Sequence, residues 1–252
     1  MISRNRKQKP MSGWLGFALS AAACTLSLIA QPALADRVAV IGTGNVGAAL
    51  GPEFAALGHT IVYGSREPQR EDVVGLVERT GNGATAMQPA DAVRDADIVV
   101  LAVPGAAAVD ITATLGSLDG KILLDPTNRV GRGGPYLTHD VPNHRSNAEL
   151  IQAAASGARV VKAFNTLNWQ QMVDPDSAGG PISIPLAGDD QAAKAVIAEL
   201  VSGMGLEPFD VGPLAYAHVL EEMLVMWGHS LGQGNRYNYY LRPMPDSQSN
   251  GN

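Results

Sequence analysis

From Arg37 onward the chain alternates short β-branched apolar runs with stretches whose apolar residues recur every three to four positions. The first pattern belongs to strands and the second to helices, and their alternation is the rhythm of βαβ units. The runs predict strands over 37–41, 60–63, 84–87, 98–103, 121–124, 159–163, 182–187 and 208–211. IVVLAV at 98–103 and KILL at 121–124 are apolar without interruption. Strands of a parallel sheet, covered on both faces, read that way. Helices are predicted over 89–96, 106–115 and 214–227, and the methionines and tryptophan of the last are read as packing residues. Only 129–145 (RVGRGGPYLTHDVPNHR) reads as a long loop, and its His139 and His144 as solvated side chains. Their spacing, without acidic or thiol companions, is a poor metal signature, so no metal site is expected. Ser146 and Glu149 fit a capping box, which explains Glu149 without chemistry.

Residues 1–35 break this rhythm. Arg4, Arg6, Lys7 and Lys9 precede an apolar run over 12–30, and Ala33-Leu34-Ala35 closes it with small residues. An uncleaved anchor would leave almost no tether before the first strand, so a signal peptide cleaved after Ala35 is expected. The mature protein would be exported, periplasmic or secreted, with no stable membrane insertion once the signal is removed. Cleavage leaves 14 basic against 24 acidic residues, a formal charge of −10. That balance argues against nucleic acid as a partner. The sole cysteine, Cys24, would leave with the signal, and with it any disulfide or thiol chemistry.

The first strand runs into VAVIGTGNVG at 38–47, a G-x-G-x-x-G between a strand and a helix. Gly42 suits the tight turn, Gly44 the approach of a pyrophosphate, and Gly47 close packing of helix on strand. The helix start offers free N–H groups to that phosphate. An NAD site would carry an acid about 20 residues on, at the end of the second strand. Here stand Ser65 and Arg66, with Arg70 a helical turn further, a hydroxyl and two guanidinium groups suited to a 2′-phosphate. The cofactor is therefore expected to be NADP(H). Val103-Pro104, Asn128 and Asn165 follow predicted strand ends, positions from which loops reach a nicotinamide ring.

With IGTGNVG at 41–47, GSRE at 64–67, VVLAVP at 99–104, GARVVKAFNT at 157–166, LAGDD at 186–190 and VGPLAYAHVLE at 211–221, the chain resembles the NADPH:coenzyme F420 oxidoreductase-like family. The resemblance spans nearly all of 37–227. It implies a doubly wound parallel Rossmann sheet of the α/β class over 36–165 and a smaller, mostly helical C-terminal portion over 166–252. It also implies homodimers and hydride transfer between NADPH and a small-molecule acceptor, a flavin or deazaflavin as second substrate. Carried over, Thr43, Gly44, Asn45 and Val46 would line the pyrophosphate, and Ser65, Arg66 and Arg70 would hold the 2′-phosphate. Val103, Pro104 and Ala163 would lie near the nicotinamide. The chain departs from the pattern at His218, where the family usually has arginine, and in the tail QGNRYNYYLRP at 233–243. Hydride transfer needs orientation and dryness more than an acid or nucleophile, so no catalytic residue is named. Two other readings stand beside this one. One is an exported, non-catalytic nucleotide-binding or partner module. The other is an NADPH-dependent reductase of a small imine or ketone, which would need a proton donor that the sequence does not reveal.

Overall fold

The computed structural model describes residues 36–133, 136–237 and 239–243. The expected signal segment, with Cys24 and its cleavage site, lies outside them. Eight strands form one sheet: β1 (Arg37–Ile41), β2 (Thr60–Gly64), β3 (Thr85–Met87), β4 (Ile98–Leu101), β5 (Ile122–Asp125), β8 (Arg159–Lys162), β9 (Ser183–Gly188) and β10 (Glu207–Gly212). Their order is β10-β9-β8-β5-β4-β1-β2-β3, so the chain reverses its direction of winding between β1 and β4. From β3 to β8 every pairing is parallel; β9 pairs antiparallel with β8 and carries β10 with it. This is the expected doubly wound α/β fold, with two reversed strands at one edge.

Period-2 side-chain alternation explains why both faces are apolar. Val38 and Val40 of β1 join one buried cluster, while Ala39 and Ile41 join the other. Helices α1 (Asn45–Ala56), α2 (Glu71–Thr80), α6 (Trp169–Val173) and α7 (Gln191–Gly203) cover the first face through residues such as Leu50, Leu76, Met172 and Ile197. Helices α3 (Pro89–Ala92), α4 (Gly105–Thr114), α5 (Asn147–Ala154) and α8 (Ala217–Gly232) cover the second through Ala92, Ala108, Ile151 and Leu220. The helix expected over 214–227 starts as a 3-10 turn at Leu214–Tyr216 and continues as α8 to Gly232. No described helix is long and apolar enough to cross a membrane.

The segment read as a loop over 129–145 is instead a hairpin of β6 (Val130–Gly133) and β7 (Tyr136–His139), followed by a 3-10 turn at Pro142–His144. Its strands pair with each other rather than with the main sheet, and β7 packs along α8, so neither carries the alternation of a core strand. Gly228 of α8 makes that approach close, since a Cβ there would stand 2.7 Å from a methyl of Leu137.

Candidate nucleotide and acceptor site

The glycine loop lies at the switch point between β1 and β4, where doubly wound sheets open a crevice at their carboxyl edge. Gly42 sits at φ +104°, and a Cβ on it would collide with the Ala102 carbonyl. A Cβ on Gly47 would collide with the Gly42 carbonyl, so that glycine is what lets α1 lie on the strand turn. Gly44 is different: nothing lies within 4 Å of where its Cβ would be. Its φ of −76° demands no glycine, so the open space beside it is the feature to explain. The amides of Asn45, Val46 and Gly47 fill the first turn of α1, where a helix provides no acceptor of its own. Ala48 makes the first return bond, 2.8 Å to the Gly44 carbonyl. Free N–H groups, a positive dipole end and an open approach make an anion cradle.

At the end of β2, the Ser65 hydroxyl accepts from the Glu67 amide at 3.1 Å and is nearly buried. Arg66 is exposed, and its guanidinium has no partner among the described residues. Arg70 is engaged, Nε and Nη2 donating to the two Asp72 carboxylate oxygens at 2.5 and 3.1 Å. A cleft of about 230 Å³ runs from Gly44, Asn45 and Val46 to Val103, Pro104, Pro126 and Thr127. Val46 also lines a second cavity of about 270 Å³, between Leu167 and Trp169 on one side and Met223, Leu224 and Trp227 of α8 on the other. Met223 and Trp227, read from the sequence as packing residues, both line this cavity, and Met223 also packs against the second core cluster.

Ala163 is fully buried at the end of β8, and Phe164 after it adopts φ +63°. A phenylalanine in that region is strained, by roughly 1–2 kcal/mol. Burial edge-on against Phe54, with centroids 6.4 Å apart, holds it there. Asn128 and Asn165 lock the two strand-end loops together: Asn165 Nδ2 donates to Asn128 Oδ1 at 2.9 Å, and Asn128 Nδ2 to the Asn165 carbonyl at 2.9 Å. Asn165 also donates to the Leu220 carbonyl of α8 at 2.9 Å.

Beneath these loops lies a charge cluster that sequence reading missed. Lys162, fully buried, donates to Asp125 at 3.0 Å, to Glu221 at 2.7 Å and to the Thr127 carbonyl. Glu221, also fully buried, accepts from the Asn147 and Ala148 amides at 2.9 and 3.3 Å. Ser146 caps the next amide of α5, and Glu149 closes the capping box. A carboxylate and a cap therefore share the helix start. His139 Nε2 completes the cluster 2.6 Å from Glu221, with its side chain 8% exposed. The reading of His139 as a solvated loop histidine is thereby corrected, since the hairpin turns it inward; His144 is exposed. Burial alone would raise the Glu221 carboxyl, but Lys162, the Asn147 amide and His139 together hold it below its ordinary value. Among the described residues no group of three or more His, Cys, Asp or Glu side chains is arranged to hold a metal ion.

The family model for coenzyme F420-dependent NADP oxidoreductases matches residues 37–129. The crystal structure of an Arthrobacter sp. FB24 protein described as an F420-dependent NADP reductase is similar at 32% identity and a TM-score of 0.72, covering 80% of this chain and 96% of that one. The chain belongs to the F420-dependent NADP oxidoreductase family. It is an NADP-dependent oxidoreductase. The F420-dependent NADP reductase of Methanothermobacter thermautotrophicus is 29% identical over 201 residues, 74% of this chain and 85% of that protein. Metalloreductase STEAP3 of Rattus norvegicus is 29% identical over 196 residues, 77% of this chain, which spans 38% of that protein's length.

In this NADP oxidoreductase the fold brings Gly44, Asn45, Val46, Val103 and Pro104 around one crevice, with Gly42, Thr43 and Gly47 in the same strand-to-helix turn, and sets Ser65 and Arg66 at the end of the neighbouring strand. Ala163, Asn128 and Asn165 stand at the adjoining strand ends, with the side chains of the two asparagines bonded to each other and to backbone. Lys162 and Glu221 lie 59 positions apart in the chain. The only hint of their pairing was a lysine and a glutamate placed among apolar residues, in VVKAF and VLEEM.

Proposed function

We propose that this protein transfers a hydride between NADPH and a flavin- or deazaflavin-like acceptor. The observation that carries the reading is that Val46 belongs to both the nucleotide cleft and the neighbouring aromatic cavity. A nucleotide on the glycine loop and a planar acceptor beside α8 would share that wall. When bound, NADPH supplies the hydride at the nicotinamide C4. The chain's own residues then have to bind, orient and keep water out, for which about 3–3.5 Å between reacting atoms is required.

The amides of Asn45, Val46 and Gly47 would take the pyrophosphate, and Gly44 leaves it room. Ser65 and the exposed Arg66 would take the 2′-phosphate, with Arg70 joining once a phosphate competes with Asp72 for it. Val103 and Pro104, which line the cleft, would form the nicotinamide's surroundings, with Ala163 fully buried behind them in the core. The names of the F420-dependent relatives point to a deazaflavin as the acceptor. Mixing the protein with NADPH and a panel of flavins and deazaflavins, while following nicotinamide absorbance, tests the reading. Oxidation of NADPH that depends on the acceptor is expected. NADPH binding with no turnover on any planar acceptor would leave the non-catalytic nucleotide-binding module in its place.

A further inference from the structure

The buried charge cluster lies directly behind one wall of the nucleotide cleft. Thr127 belongs to that wall, and the cluster and its neighbours hold it at three points. Its amide donates to Asp125 Oδ1 at 2.8 Å, its carbonyl accepts from Lys162 Nζ, and its hydroxyl accepts from Asn147 Nδ2 at 2.8 Å. The same Nδ2 donates to the Gly105 carbonyl at 3.1 Å, and a carbonyl can only accept, so the orientation of the Asn147 amide is fixed. Lys162, Asp125 and Glu221 are each fully buried, and none of them lines the cleft. One residue separates the cluster from whatever occupies it.

Counting charge gives the cluster a sign. Two carboxylates, Asp125 of β5 and Glu221 of α8, face one ammonium, Lys162 of β8. The start of α5 adds a partial positive charge through the Asn147 and Ala148 amides that donate to Glu221. His139 of β7 adds a full one only when protonated. With His139 neutral, an excess of negative charge remains, in an interior that screens it weakly. None of the described residues that line the cleft is charged, so no side chain of that lining offsets it.

The two states of the nucleotide differ in charge at one place. Hydride transfer takes one proton and two electrons from the nicotinamide C4 and leaves that ring with one positive charge. The acceptor takes the hydride and one further proton from water. The phosphates are common to both states, so their interaction with the cluster cancels when the two affinities are compared. We infer that Asp125 and Glu221, outweighing Lys162, favour the oxidised, cationic ring over the reduced one and so make bound NADPH a stronger hydride donor. They act across the Thr127 wall and not by contact. The inference rests on the hydride-transfer reading and on a nicotinamide beside Val103, Pro104 and Thr127, whatever the acceptor.

The readout is the ratio of dissociation constants, NADP⁺ over NADPH, taken at about pH 8.5, where an ordinary histidine is neutral. NADPH fluorescence gives one constant and displacement of NADPH by NADP⁺ gives the other, both without turnover. Glu221→Gln and Asp125→Asn should each raise the ratio on the order of tenfold, the effect of a unit charge about 12 Å away at an effective dielectric of about 20. His139→Arg should raise it too. It sets a fixed positive charge beside Glu221, keeps every buried carboxylate paired, and has room in the cavity of about 640 Å³ that His139 lines. It therefore carries the test if the other two variants do not fold. His139→Gln, altered at the same place without a charge, should leave the ratio within about twofold of the parent. A merely structural role would weaken both nucleotides alike and leave every ratio in place. Ratios that stay within about twofold of the parent in every folded charge variant would overturn the inference. So would a His139→Gln ratio that moves as far as that of His139→Arg, and in either case acceptor-dependent oxidation of NADPH would leave the hydride-transfer reading intact. The expected ratios without oxidation of NADPH by any acceptor would do the reverse, keeping the electrostatic bias and sinking the transfer.

Discussion

Arg66 and Arg70 are both arginines at the end of β2, yet their surroundings assign them different weights. Arg70 holds Asp72 through two hydrogen bonds, whereas Arg66 is exposed and has no partner among the described residues. A phosphate that binds Arg66 displaces only water; one that binds Arg70 must also displace a carboxylate. Arg66→Ala is therefore expected to weaken NADPH by roughly 10- to 150-fold, from the ~1.5–3 kcal/mol of a charge-assisted bond. NADH should be little affected, and Arg70→Ala should weaken NADPH less. Calorimetric titration of both nucleotides measures this, and equal losses for NADH and NADPH would remove Arg66 from the 2′-phosphate site. Arg66 was legible in the sequence because it stands where an acid otherwise would. Glu221 was not legible, because its partners Lys162, Asn147 and His139 meet it only through folding. Its carboxyl is held below the ordinary value of 4.5, so it contributes stability that is complete above that pH. That contribution is lost as pH falls through the folded value, when the unfolded chain already binds the proton. Urea denaturation between pH 7 and pH 3 should show stability falling on the acid side. In Glu221→Gln the part of that fall due to this group should vanish. The same substitution should cost about 3–5 kcal/mol at pH 7, as expected when one member of a buried ion pair is removed.

Elements respond to glycine in two separable ways, and the first turn of α1 contains both. A Cβ on Gly47 meets the Gly42 carbonyl, so Gly47→Ala must push α1 off the strand turn, at about 1–3 kcal/mol for overpacking. Gly44→Ala meets nothing within 4 Å and keeps an allowed φ of −76°. Its stability should stay within about 0.5 kcal/mol of the parent, as for other substitutions that touch nothing. If the open space beside Gly44 is the pyrophosphate's, the added methyl should still weaken NADPH at least about tenfold, through the loss of one amide–phosphate bond. Thermal unfolding and nucleotide titration of the two variants together decide this, and a Gly44→Ala protein that binds NADPH normally would place the phosphate elsewhere. The strand positions were readable because β1, β4 and β5 are buried on both faces and so carry the apolar runs 38–41, 98–101 and 122–124. The hairpin of β6 and β7 was not, because β7 packs on α8 rather than on the main sheet and the VGRG strand of β6 carries no period-2 signal. The reversal at β9 was equally invisible, since strand direction leaves no mark on apolar pattern.

At the scale of the whole molecule, the strand that the glycine loop depends on begins next to the expected signal cleavage point. β1 starts at Arg37 and pairs on both sides, with β2 and with β4. Its entry is secured by bonds to distant parts of the chain: the Thr60 amide donates to the Asp36 carbonyl at 3.0 Å, and the Arg37 amide donates to Asp97 at 2.9 Å. The Asp36 amide donates to His59 Nδ1 at 3.2 Å, and the Asp36 carboxylate lies 3.5 Å from the same ring. A cut after Ala35 would preserve all four contacts, whereas a cut after Asp36 would remove three of them. We therefore expect protein recovered from its native host to begin at Asp36 and to lie outside the cytoplasm. We also expect a chain begun at Asp36 to match the full chain in unfolding temperature and NADPH affinity. One begun at Arg37 should unfold several degrees lower, about what a loss near 1–2 kcal/mol produces in a domain of this size. N-terminal sequencing of the host protein, with thermal unfolding of the two shortened chains, is the measurement. Host protein that still carries Met1 and pellets with membranes would show that the leader anchors the enzyme and is not removed.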